Sequence, residues 1–165
     1  MFSKSLVRRV SACLLLGSPT LATPAPRPRP LASLQAATLE RAREGAARKL
    51  ARPECQRILD DFQDAAGRPL SAKLEAFDRS APDYLRMIPF LDGSSERLCR
   101  SGRAEMFTVM GIPRVFVCPS FVEKQIRDPV TAESIVIHEM LHTLGLGENP
   151  PSSREITSRV NHRCQ

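Results

Sequence analysis

The apolar positions of this chain follow a helical spacing through its first half, a strand-like spacing in the middle, and a helical spacing again toward the C-terminus. Residues 31–52, rich in Ala, Leu, Arg and Glu, predict a helix on which Leu34, Thr38, Leu39 and the alanines form a loose apolar stripe. Residues 53–62 open a second helix with Ile58, Leu59 and Phe62 on one face, and Gly67-Arg68-Pro69 stops it. Residues 71–77 predict a third, short helix with a serine cap. Residues 85–91, 106–110 and 114–118 are short apolar runs enriched in Val and Phe, and they predict strands. Gly111-Ile112-Pro113 is short enough to join the last two as an antiparallel hairpin.

The helical period then returns. Asp128 suits an N-cap, Pro129 the first helical position, and Gly145 the left-handed residue that ends a helix. Ser152, followed three residues later by Glu155 and then by Ile156, predicts a capping box on a last helix. The expected fold class is α+β, with N-terminal helices, a small antiparallel sheet, one long helix and a short C-terminal helix.

The N-terminus has a different character. Lys4, Arg8 and Arg9 precede a short apolar run at 10–16, and Ala22 offers a small residue for cleavage, so residues 1–22 read as a secretory signal peptide too short to anchor in a membrane. Prolines at 24, 26, 28 and 30 make 23–32 an extended linker, and 33–165 is left as one folded domain. Removing residues 1–22 takes away Lys4, Arg8 and Arg9 and no acid, so the formal charge falls from +6 to +3. That modest charge, with one Tyr, seven Phe and no Trp, argues against a nucleic-acid partner.

Of five cysteines, Cys13 falls in the signal segment. Cys55, Cys99, Cys118 and Cys164 remain, with no Cys-x-x-Cys pair among them, which in an exported chain predicts two disulfides of unspecified pairing. The expected location is secreted or periplasmic.

The chemistry concentrates in one stretch. Two of the three histidines, His138 and His142, are four residues apart, and on a helix that spacing aims both imidazoles at one point. Glu139 lies one step round the same helix, able to address a metal-bound water without ligating. A catalytic zinc takes three protein ligands and keeps a fourth position open. Gly145 and Gly147 let the chain reverse so that Glu148 reaches the metal as third ligand, with Glu155 and His162 as rivals.

His138-Glu139-Met140-Leu141-His142-Thr143-Leu144-Gly145-Leu146-Gly147-Glu148 resembles the zinc signature of the metzincin metallopeptidases, the matrixin form in particular. Glu148 stands where those enzymes use His or Asp, and no methionine follows Met140 to form their methionine turn. Residues 115–121 and 131–142 are similar to the strand and helix of aspzincin peptidases. The resemblance implies an exported zincin with bound Zn2+, hydrolysing a peptide or protein substrate with Glu139 as general base. It also implies an edge strand that binds the extended peptide, for which residues 114–118 are the candidate. Tyr84, the single tyrosine, could donate to an oxyanion or serve as a core residue. The competing expectation, of another class, is an exported binding module whose zinc site is closed by four protein ligands and has no turnover. The oligomeric state is left open.

Overall fold

The computed structural model describes residues 29–165. The expected signal peptide, 1–22, and positions 23–28 of the linker lie outside the described residues.

The architecture is α+β: eight α-helices and a small three-stranded sheet among the described residues. Helix α1 (Ser33–Leu50) runs across the middle, packing against α4 (Ala81–Met87), α6 (Ser120–Arg127) and α7 (Pro129–Thr143). Its buried stripe is Leu39, Ala42, Ala46, Ala47 and Leu50, with Gln35 and Thr38 continuing it at helical spacing. Leu34, expected in that stripe, is exposed instead, because the inward position one turn before Thr38 and Leu39 falls to Gln35. The Gln35 amide donates to the Val117 carbonyl at 3.0 Å, tying α1 to the sheet. At Gly45 the missing side chain leaves room for the Glu133 carboxylate of α7, which pairs with Lys49 at 3.0 Å.

The second expected helix is broken into α2 (Pro53–Gln56) and a 3-10 turn (Arg57–Leu59), and Ile58, Leu59 and Phe62 still enter the core. Helix α3 (Leu70–Ala76) starts one residue before the expected serine cap. Its N-cap is Pro69, and Ser71 donates to the Asp60 carboxylate instead.

Two sheet expectations need correction. The first part of 85–91 is helical, through Met87: Ser80 caps α4, Pro82 sits in its first turn, and Ala81, Tyr84, Leu85 and Ile88 are buried at the i, i+3, i+4, i+7 spacing of a helix face. Only β1 (Phe90–Asp92) is left as strand. The sheet is mixed where an antiparallel one was expected. β2 (Met106–Thr108) and β3 (Val115–Val117) form the predicted hairpin, Phe107 opposite Phe116, but β1 pairs parallel to β3. The segment between β1 and β2, with the short helix α5 (Arg97–Arg100), carries the chain past β3, and the Cys99–Cys118 disulfide closes that crossover.

Helix α7 is buried over most of its surface, from Ala132 and Ser134 through 136–143. Asp128 caps it through the Thr131 amide at 3.1 Å, and Thr131's bonds hold the Asp128 carboxyl below its ordinary range. Helix α8 (Ser153–Cys164) lies across one end of α7. It is tied down by the Cys55–Cys164 disulfide, by a bidentate Arg163–Asp61 pair at 2.8 Å, and by Arg52 donating to the Cys164 carbonyl at 2.6 Å. Two disulfides suit an oxidising environment, and no described helix is long and apolar enough to cross a membrane.

Candidate metal centre

The last turns of α7 carry His138 and His142, and the chain then reverses at Gly145, whose φ is +110°. The reversal returns Glu148 toward the helix end. Its Oε1 stands 3.7 Å from His138 Nε2 and 3.4 Å from His142 Nε2, and the two Nε2 atoms are 3.0 Å apart. Ligand atoms at about 2.0–2.1 Å from a tetrahedral divalent ion stand about 3.3 Å from each other, so the three separations straddle the edge of such a site. Two nitrogens and one carboxylate oxygen form a suitable donor set. Among the described residues this is the one group of three or more such side chains arranged to hold a metal.

The rivals lie elsewhere. Glu155 is exposed and pairs with Arg159 at 2.9 Å, its backbone amide capped by Ser152 as the capping box predicts. His162 is exposed and close enough to Asp61 to lower that carboxyl, though less than Arg163 does.

Each imidazole is oriented through its other nitrogen. His142 Nδ1 is 2.7 Å from the Leu146 carbonyl. A carbonyl only accepts, so Nδ1 carries the proton and Nε2 turns its lone pair to the cluster. His138 Nδ1 is 3.1 Å from the Thr157 hydroxyl of α8. Burial, with the adjacent His142 adding to it, pushes His138 down to about 4, which keeps it neutral as a ligand must be.

Glu139 is buried at 7% exposure on the same helix and lines the same cleft. Burial pushes its carboxyl up to about 8; the Glu148 charge adds to this, and the Thr108 backbone N–H opposes it. No Lys or Arg of the described residues pairs with Glu139 or Glu148; Arg103, on the cleft wall, is the cation nearest in the lining. A bound divalent ion would supply the missing positive charge.

The cleft has a volume of about 690 Å³. Its far wall is Arg103 to Thr108 with Met110, which includes β2, and Ser153 and Thr157 of α8 form one end. The expected peptide-binding strand therefore needs correction: β3 is the central strand of the sheet, in the order β1-β3-β2, and the edge along the cleft is β2. Tyr84 faces the core, stacking on Phe77 and donating to the Thr143 hydroxyl at 3.1 Å, and burial raises its pKa. Thr157, the Leu146 carbonyl and the Thr108 amide were not legible as site groups in the sequence, since each reaches the cluster through the fold.

Gly145 tests the reversal. A Cβ there would meet Asp64 Cβ at 3.2 Å and would sit on a backbone that L residues rarely adopt. Gly145→Ala is expected to cost about 1–3 kcal/mol and to weaken metal binding, read from a denaturation midpoint and a metal titration. A variant as stable and as tightly metal-bound as the wild type would mean that the turn tolerates the side chain.

No protein-family model matches this chain, and no curated protein or solved structure matches it either.

Proposed function

We propose that this chain is a zinc-dependent peptidase, exported to an oxidising compartment. The observation that carries the reading is the convergence of His138 Nε2, His142 Nε2 and Glu148 Oε1 beside the buried Glu139 in an open cleft. His138, His142 and Glu148 would hold the ion. Zinc in such a site lowers the pKa of a bound water to about 7 and polarises a carbonyl. Glu139 is placed to take the proton from the water and deliver it to the leaving amine. The edge strand β2 offers main-chain partners to an extended peptide, and the Arg103 and Glu105 side chains stand along the same wall.

Three protein ligands, with Glu155 and His162 away from the cluster, support an open site over the closed four-ligand site of a non-catalytic module. The test is metal content by mass spectrometry of the oxidised protein, beside a peptide-library assay. The wild type should carry one zinc per chain, and His138→Ala or His142→Ala should lose both zinc and hydrolysis. A folded wild type that takes up no metal would sink the reading. Zinc uptake with no cleavage across a broad library would leave a metal-stabilised binding module.

A further inference from the structure

We propose that Arg103 is a specificity-determining residue that takes an acidic side chain of the substrate, about five residues of extended peptide away from the cleaved bond. The inference rests on the peptidase reading above and names the class of peptide the cleft favours. Arg103 is the one Lys or Arg that lines the cleft. Its guanidinium is exposed and enters no ion pair among the described residues, so its charge is left for a ligand.

An exposed arginine selects little unless the backbone beneath it is fixed, and here it is fixed on both sides. Helix α5 ends in a Schellman turn: Gly102, at φ +64°, donates its N–H to the Cys99 carbonyl at 3.1 Å, and Arg103 donates its own to the Leu98 carbonyl at 3.3 Å. Turns of this kind commonly bring the side chains of those two positions together, and Leu98 and Arg103 both line the cleft. Helix α5 buries none of its residues, so no core holds the turn. The Cys99–Cys118 disulfide holds it instead, and two residues past Arg103 the Glu105 carbonyl accepts from the Cys118 N–H at 2.9 Å. Both clamps lead to Cys118, just beyond β3.

The register follows from the same wall. Thr108 marks its metal end, because the Thr108 backbone N–H points at Glu139. The Cys118–Glu105 bond, with Phe107 opposite Phe116, turns the main chain of Met106 and Thr108 outward to the cleft. A peptide laid along that edge advances residue for residue with it, and the five positions from Thr108 to Arg103 span at most about 17 Å. Glu105, the other charge on this wall, lies two residues nearer the metal end and disfavours an acid there. The cleft therefore selects an acid at the outer position and not at the inner one, a pattern that general attraction between a basic protein and acidic peptides does not produce.

The test uses oxidised full chains and a fluorescein-labelled library of short peptides with Glu, Gln or Lys fixed at each position in turn. Wild type and Arg103→Glu are compared by KM and kcat. Glu139→Gln, alone and combined with Arg103→Glu, is compared by fluorescence anisotropy, which reads binding without turnover. On the wild type, Glu at the outer position should lower KM about 3- to 10-fold against Gln with kcat little altered, the range of an exposed charge-assisted pair. Glu two residues nearer the cut should give no gain. In Arg103→Glu the preferred residue at the outer position should become Lys, an inversion that damage to the fold would not give. A Glu preference that persists in Arg103→Glu, or a wild type with no acid preference at any single position, would overturn the proposal. If no peptide is cleaved, the peptidase reading fails first and anisotropy still decides. Glu-fixed peptides held more tightly with Arg103 than with its replacement support the acid site, and equal or absent binding overturns it.

Discussion

Glu139→Gln is expected to retain its zinc and to lose peptide hydrolysis by about 10²- to 10⁴-fold, the contribution typical of a positioned general base. The amide keeps the shape of the carboxylate, and its oxygen can still accept from the Thr108 backbone N–H that points at Glu139. The three ligand atoms belong to other residues, so their arrangement should survive. What the amide cannot do is take a proton from water. The variant therefore separates proton transfer from metal binding, which neither histidine variant can do. Metal content and kcat/KM on one cleaved peptide are the two readouts. Full activity in Glu139→Gln would remove the residue from the chemistry, and loss of zinc would assign it to holding the site together.

The second large effect concerns stability. Replacing Cys55 and Cys164 with alanine is expected to cost about 4–5 kcal/mol in the chain-entropy account, because that bridge closes a very long loop. Its half-cystines are 109 residues apart, against 19 for Cys99 and Cys118, whose loss should cost about 3 kcal/mol by the same reasoning. Cys55 and Cys164 are both fully buried, so the double alanine variant also loses packing between α2 and α8. Denaturant unfolding of the oxidised wild type and of each double variant gives the comparison. The reverse order would mean that native-state strain or residual structure in the unfolded chain outweighs loop closure. In a domain with a stability of about 5–15 kcal/mol, a loss of this size is a large fraction of the whole.

The two effects fall on different parts of the molecule. Glu139 belongs to a helix that local signals define almost completely, whereas Cys55 and Cys164 join segments 109 residues apart in the chain. The sequence was most legible where partners are neighbours. Asp128, Pro129 and Gly145 bound the helix as their backbone preferences require, and the His138–His142 spacing brought two imidazoles to one point without help from the rest of the fold. The helix face of α4 is written locally too, with Ala81, Tyr84, Leu85 and Ile88 behind a Ser80 cap, in a stretch whose apolar run at 85–91 equally fits a strand.

The sequence by itself determined the spans of α1 and α7, the start of α8, the α+β class, the hairpin between β2 and β3, and a pair of histidines with an acid beside them. Each follows from interactions between residues a few positions apart, where spacing and capping fix the geometry. The tertiary structure alone decided that Glu148 joins the histidines while Glu155 and His162 do not, because a turn at positive φ sets where the chain goes after the helix. It also decided that β1 adds parallel to β3, which leaves β2 as the edge along the cleft, and that Cys55 pairs with Cys164 and Cys99 with Cys118. Thr157 reaches His138 for the same reason. Such contacts depend on how separate elements pack against a shared core, and no local spacing in the chain records that.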